Sequence, residues 1–348
     1  MSPLPVGKLP GDTLQRLFAK YVRPGDPSEA REAAGRVVVG PRVGEDAAVL
    51  DMGDRYLVAT TDPITFATDA AGWYALHVNA NDVAVRGARP AWFLATLLLP
   101  EGATEPARVE ELFAEIAEGC DGLGVSLVGG HTEVTAGLAR PIVIGTMLGE
   151  VGKDRLVTTG GARPGDTLLL TKGVPLEGAA IIARERGAEA ARRGVPEAVL
   201  QRARGLLRRP GISVVPEAMA ATEAARVHAM HDPTEGGLAT ACWELAEAAD
   251  AGVRLDRERV PLLPEGARLC DAFGLDPLGT IASGALLLAV APADEGRVIA
   301  ACRGTGIVCA PIGAVTERRA GMTLVEGGRA RPLPVFPQDE ISKLFAGS

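Results

Sequence analysis

Long apolar runs are absent from this sequence. The two best candidates for a membrane span, PAWFLATLLLP (90–100) and SGALLLAVAPA (283–293), fall far short of the roughly 20 residues a bilayer-crossing helix needs. The opening MSPLPVGKLPGD lacks the charged start and apolar core of a secretory signal, so the chain is expected in the cytoplasm. Cysteine is sparse: Cys120, Cys242, Cys270, Cys302 and Cys309 are odd in number, scattered and without a C-x-x-C pair, which suits reduced core residues better than a disulfide framework. Positive charge is also short. With 36 Lys and Arg against 44 Asp and Glu, the net charge of −8 disfavours nucleic acid or an anionic membrane as partner and favours bound cations. Familiar catalytic loops are missing too: there is no G-x-x-x-x-G-K-[ST], G-x-G-x-x-G, H-E-x-x-H or G-x-S-x-G.

What is present is enough apolar material for real cores. At 348 residues and 47% hydrophobic content, about two domains are expected. Residues 11–21, GDTLQRLFAKY, place Leu14, Leu17, Phe18 and Tyr21 on one helical face behind Asp12 and Thr13. A Pro-, Gly- and charge-rich wrapping segment follows over 22–44. From 45 to about 150, the β-rich runs AAVLD, YLVATTD, WFLATLLL, VSLVGG and PIVIGTMLGEV are separated by helical periods at 72–86 and 105–122. A second mixed unit begins near TLLLTKG, with helices over 177–188, 196–208, 215–226 and 236–250 and strands near 253–256, 284–291 and 307–315. The expected division is 1–40 for the helix and wrapping segment, 41–152 for the N-terminal domain and 153–348 for the C-terminal domain.

Five acidic clusters stand beside strand ends or glycine turns: GEDAAVLD (44–51), TTDP (60–63), NAND (79–82), GGHTEV (129–134) and HDPTEGG (231–237). Asn79 and Asn81 are the only asparagines in the chain, and they lie with Asp82 inside a helix with apolar neighbours on both faces. A carboxylate in so dry a setting must be hydrogen-bonded, paired or bound to a metal; satisfying the backbone of a neighbouring loop is the plainer alternative. Asp46 precedes one strand and Asp62 ends another, at the rim of a sheet where pooled carboxylates suit Mg²⁺. Each acid taken alone also fits a cap or turn. Gly129 and Gly130 suit a tight turn with amides facing an anion, beside the hydroxyl of Thr132 and the carboxylate of Glu133. Gly236 and Gly237 open a helix whose N-terminus attracts phosphate, with Thr234 nearby and Asp232 placed to hold the accompanying cation or simply to cap the helix. His131 and His231 adjoin acids, but no His/Cys cluster has zinc spacing. Lys8 reaches a phosphate only if the leading segment folds over the site, and RERGAEAARRG (184–194) reads as a solvated helix face.

Taken together, GEDAAVLD, TTDP, NDVAVRGARP, GGHTE and DPTEGGLA occur in the order seen in the aminoimidazole-ribonucleotide synthetase-like (PurM-like) superfamily. The chain resembles that superfamily from about residue 7 to 325. Members include the purine cyclo-ligase, thiamine-monophosphate kinase, selenophosphate synthetase and the hydrogenase maturation factor HypE. NDVAVRGARP and DPTEGGLA resemble the HypE branch most. The resemblance implies an α+β, two-domain PurM-like fold: an N-terminal α/β domain whose sheet pairs across a homodimer, and a C-terminal α/β sandwich domain. It further implies ATP bound between the domains and Mg²⁺ held by carboxylates. Carried over by motif, Asp46, Asp62, Asp82, Glu133 and Asp232 are the metal acids. Lys8, Asp62, Gly129, Gly130, Thr132, Thr234, Gly236 and Gly237 face the nucleotide, and Asp82 with Asn81 stands at the reaction centre. HypE proteins carry a C-terminal cysteine whose carbamoyl group is dehydrated with ATP, whereas the last cysteine here is Cys309, so that reaction is not expected in its usual form. His131 stands where an acid is usual, and PITFATD (63–69) replaces the segment typical of thiamine-monophosphate kinase. The expected function is ATP- and Mg²⁺-dependent activation of an oxygen on a small, unnamed substrate by phosphoryl transfer. A protein partner in metallocentre maturation would accompany it. Alternatives are a non-catalytic nucleotide-binding maturation or scaffold protein and a cyclo-ligase or thiamine-monophosphate kinase-like activity.

Overall fold

The structure, a computed structural model, describes residues 9, 11–21, 34–41, 44–65 and 69–345. Lys8 and most of the expected wrapping segment lie outside the described residues. The chain folds as two compact units, one holding Asp46–Leu156 and the other running on from Val157. Helix α1 (Gly11–Tyr21) groups with the second unit and not with the strands that follow it.

In the first unit, six strands form one mixed sheet: β1 (Val37–Val39), β2 (Ala48–Asp51), β3 (Arg55–Ile64), β4 (Arg89–Pro100), β5 (Ser126–Thr135) and β6 (Ile142–Gly152), in the order β1-β2-β3-β6-β4-β5. β4 and β5 run parallel and the other neighbours antiparallel. Alternation sets the faces: Phe93, Ala95, Leu97 and Leu99 of β4 and Val143, Met147 and Val151 of β6 turn inward and are buried. Helices α2 (Ala71–Ala84) and α3 (Pro106–Leu123) cover that inward face, with α2 packed on β3, β4 and β6 and against α3. Pro106 starts α3, and Gly124, in left-handed conformation, stops it through Val125 N–H donating to the Cys120 carbonyl at 2.9 Å.

Two glycines let α2 approach the sheet closely. A Cβ at Gly145 would stand 2.4 Å from Asn79 Nδ2, and one at Gly149 2.4 Å from a Val83 methyl. The inward stripe of GTMLGEV is therefore carved by glycine to admit one helix.

Gly129 and Gly130 do not form the expected turn; they lie inside β5, paired with Leu94 and Ala95, and the strand continues to Thr135. A register shift beside this pair marks a bulge, and Gly130 has φ 143° with Ala95 O only 1.9 Å from where its Cβ would be. Glycine is required there by close backbone approach to β4, not by chain reversal.

The second unit carries seven strands: β7 (Thr167–Thr171), β8 (Val227–His231), β9 (Ala251–Asp256), β10 (Leu287–Val290), β11 (Cys309–Glu317), β12 (Met322–Glu326) and β13 (Arg329–Pro332), ordered β13-β12-β9-β11-β7-β10-β8. Its helices are α4 (Leu176–Glu185), α5 (Gly187–Arg192), α6 (Glu197–Gly205), α7 (Val215–Ala224), α8 (Gly237–Ala248), α9 (Pro264–Phe273) and α10 (Glu295–Gly304). The core joins Leu238, Cys242 and Leu245 of α8 to Leu168, Leu170, Val253, Leu287 and Ile312 of the sheet. Periodicity anticipates α4, α6, α7 and α8 to within a few residues. It passes over α9 and α10, whose short apolar faces are broken by charge, and over β8, β12 and β13. Among the described residues, no helix is long and apolar enough to cross a membrane.

Candidate active site

The inward face of the first unit gathers the acids that the sequence motifs single out. β3 alternates so that Val58, Thr60, Asp62 and Ile64 turn toward α2. The Thr60 hydroxyl lies 2.8 Å from Asp82 Oδ2 and 3.0 Å from the Asp46 carbonyl, joining the loop before β2 to the middle of α2. Asp82 is 2% exposed and Asn81 fully buried, while Asp46 and Asp62 are half-buried and reach the edge of the same face. Asp46 and Asp82 are thus joined through Thr60, and Asp62 stands two residues beyond Thr60 on the same side of β3.

Asn79 takes the plainer role open to a polar residue on this helix. Its Oδ1 accepts the Asp62 N–H at 2.9 Å, and its Nδ2 donates to the Asp62 carbonyl at 3.3 Å and to the Ala75 carbonyl at 2.7 Å. One amide thus satisfies both backbone groups of Asp62 and fixes its Cα against α2. Removing a fully buried amide leaves those groups unpaired at about 1–3 kcal/mol. Asn79→Ala is therefore expected to lower unfolding free energy by that amount without changing the slope of the urea transition, and an unchanged midpoint would contradict the assigned role.

Sequence reasoning missed Arg86. It is fully buried, and its guanidinium donates to Asp46 Oδ2 at 3.2 Å. A signal exists in the sequence, because Arg86 follows Asp82 by one helical turn within NDVAVRGARP. A buried cation beside half-buried carboxylates holds their orientation and makes the site less anionic than its acids suggest.

Other expected residues are not brought to this face. Glu133 lies on β5, three strands from β3 and so roughly 14 Å away across the sheet. It pairs with His131 Nε2 at 3.0 Å and accepts from Thr135 Oγ1 at 2.7 Å. The Thr135 and His131 contacts hold its carboxyl below the usual range. Thr132 shares this exposed strand. His231 is buried, and its Nε2 lies 2.7 Å from Glu244 Oε2.

In the second unit, the expected phosphate position at the start of α8 is partly taken by a side chain of the chain itself. Gly236 adopts φ 81°, but its N–H donates to Asp339 Oδ2 at 2.7 Å, and Gly237 N–H is turned to the Thr234 carbonyl at 2.9 Å. The amide at the helix N-terminus is thus met by a carboxyl group of the chain itself, that of Asp339. Asp232 is fully buried in the same neighbourhood. Burial pushes Asp339 up to about 7, against its backbone hydrogen bonds to Ile341 and Gly236. Glu177 is likewise pushed up to about 7, chiefly by burial and further by Asp339, Asp232 and Glu235. Its Oε2 has no hydrogen-bond partner among the described residues.

The face so built carries carboxylates braced by a hydroxyl and a guanidinium on a glycine-carved sheet. The chain belongs to the AIR synthase related family: the family's N-terminal domain matches residues 44–151 and its C-terminal domain residues 163–325. It is 31% identical to carbamoyl dehydratase HypE of Rhodobacter capsulatus over 97% of this chain and 95% of that protein. Its fold is similar to that of hydrogenase maturation protein HypE in complex with ATP, with a TM-score of 0.69 and 23% identity, covering 92% of this chain and 94% of that one. A chain of a HypE–HypF complex gives a TM-score of 0.71 at 19% identity, covering 93% and 99%. The two-domain PurM-like architecture expected from the motifs is thereby met.

Proposed function

We propose that this protein is an ATP-dependent enzyme of the HypE-like kind that activates the oxygen of a carboxamide-type substrate by phosphoryl transfer, in the service of metallocentre maturation. The observation that carries the reading is the bridge from Asp46 to Asp82 through the Thr60 hydroxyl, with Arg86 seated on the Asp46 carboxylate, on one face of the first unit. An amide oxygen is a poor leaving group until it is phosphorylated, so a dehydration of the kind named for the relatives calls for ATP. Such transfer needs positioning and charge neutralisation more than a nucleophile, in keeping with a site built of carboxylates.

The donor set fits magnesium, because Asp46, Asp62 and Asp82 offer hard carboxylate oxygens. They would hold the ion, which supplies neutralisation of the phosphate charge. Arg86 orients Asp46, Thr60 orients Asp82, and Asn79 fixes the backbone of Asp62. Gly129, Gly130, Thr132 and Glu133, all on β5, are assigned to a nucleotide surface reached from the sheet edge. The outer sheet face supports a homodimer, since Leu94, Leu98, Ile142, Ile144 and Leu148 are only half-buried and Leu127, Val128 and Val134 of β5 are exposed. A further protein partner, as in the HypE–HypF assembly, would present the group to be activated.

The test is release of ADP or AMP from Mg²⁺-ATP, alone and with carboxamide acceptors, compared with Asp82→Asn. Asparagine keeps the shape and the Thr60 contact while removing the charge. Turnover is expected to fall about 100-fold, the usual scale for one electrostatic group at a reacting centre, with the melting curve retained. Tight nucleotide binding with no turnover under any condition would make the protein a nucleotide-binding scaffold instead.

A further inference from the structure

Positive charge, short in the chain as a whole, is concentrated in one stretch of the second unit. Residues 184–209 carry eight arginines against three glutamates, a surplus of five positive charges in a chain whose net charge is −8. Several of these guanidiniums tie helices together and are not merely solvated. Arg193 donates to Glu189 Oε1 at 2.7 Å and to the Ala272 carbonyl at 3.1 Å. Arg204 donates to the Ala183 carbonyl at 3.0 Å and to Glu197 Oε1 at 2.9 Å, and Arg186 donates to the Leu344 carbonyl.

Arg202, Arg208 and Arg209 stand around an opening instead. With Gly205, Leu206 and Glu265 they line a cavity of about 400 Å³ formed by the end of α6, the turn Leu207–Gly211 and the start of α9. Consecutive residues of a helix point about 100° apart, yet Arg208 and Arg209 reach the same cavity because the helical run breaks between them. Pro210 disfavours the helical region for the residue before it, and Arg209 is extended at φ −145°, ψ 112°. Leu206, almost wholly buried, gives the cavity an apolar wall. Glu265 Oε1 accepts from Arg202 Nε at 2.6 Å, so one of the three guanidiniums has its counter-charge within the lining. Three guanidiniums against one carboxylate leave the cavity with two positive charges, and the Arg209 side chain makes no ion pair among the described residues. Nothing in the proposed ATP chemistry uses this cavity.

We propose that this cavity is a binding site for a small phosphate monoester. Two positive charges match the phosphate dianion, whereas a single carboxylate would leave one of them unmet. The planar forks of Arg208 and Arg209 suit paired phosphate oxygens, which a guanidinium grips through two parallel N–H groups. Leu206 and the open side of Gly205 receive the organic part of the ester. The volume lies in the range of small-molecule sites, with room for one ring beside the phosphate and not for a folded segment of a partner.

The test is isothermal titration of the full chain with phenyl phosphate, with benzoate as a monoanion bearing the same ring. Phenyl phosphate is expected to bind and benzoate to bind at least about 10-fold more weakly, the scale of one charge-assisted hydrogen bond. Arg209→Gln should weaken phenyl phosphate by about 10- to 100-fold on the same scale. Gly205→Glu places a carboxylate on the cavity wall, and because a Cβ at Gly205 meets nothing within 4 Å, the melting curve should be retained while phenyl phosphate binding is lost. Gly205→Ala should bind as the wild type does. The proposal is overturned if phenyl phosphate does not bind the wild-type chain, if benzoate binds it as tightly, or if Arg209→Gln or Gly205→Glu keeps wild-type affinity. The comparison of the two anions on the wild-type chain stands whether or not a variant folds.

Discussion

Arg86→Ala is expected to lower unfolding free energy by about 3–5 kcal/mol, the range for breaking a buried ion pair from one side. Arg86 is the largest fully buried side chain among the described residues, so truncation opens a cavity as well as releasing Asp46 Oδ2. The two contributions separate by substitution. Arg86→Met keeps most of the volume and loses the pair, and because Asp46 still has 20% exposure and can turn to water, a smaller loss of about 1–2 kcal/mol is expected. Arg86→Lys should not restore the wild type, since a shorter ammonium presents a point charge where a planar fork is seated. Urea titration decides: an Arg86→Ala unfolding free energy within about 0.5 kcal/mol of wild type, on the scale of ordinary surface substitutions, would mean that the guanidinium is not the brace of this site.

The second large effect is one of pH. Glu177 is buried among Asp339, Asp232 and Glu235, and its folded pKa of about 7 stands above the ordinary glutamate value of 4.5. The native state therefore holds a proton that the unfolded chain has released, so the group stabilises fully below about pH 4.5 and its contribution is lost as pH rises toward 7. This is the reverse of a salt-bridged carboxylate. Glu177→Gln removes the ionisation and retains the shape, so at pH 8 in metal-free buffer the variant should be more stable by about 3 kcal/mol, with little difference at pH 4.5. Melting curves of both proteins across that window provide the check. Parallel curves would show that Glu177 is neutralised by something other than a proton.

Both predictions concern residues that local pattern reading does not rank. Arg86 stands in a motif conspicuous for its acids, and only packing shows that its side chain lies wholly inside. Glu177 looks like a favourable first-turn acid of α4, which is what helix rules would assign. Its raised proton affinity comes from burial, from Asp339, which follows it by most of the second unit, and from Asp232 and Glu235 on the loop before α8. Gly129 and Gly130 escape local reading for the same reason. A glycine pair is locally indistinguishable as turn or bulge, and the presence of β4 alongside decided it.

By itself the sequence determined the carboxylate set and its carriers. Asp62 ends a strand-period run, and Asn79, Asn81 and Asp82 lie within a helical period too apolar to be exposed. Those are local facts, fixed by backbone geometry and readable from spacing. The tertiary structure alone decided which polar groups end up facing each other: Arg86 against Asp46 and Asp339 on the amide of Gly236. The physical reason is that electrostatic and hydrogen-bond partners are chosen by distance in space. The partners in these two pairs stand 40 and 103 residues apart, where no periodicity reaches.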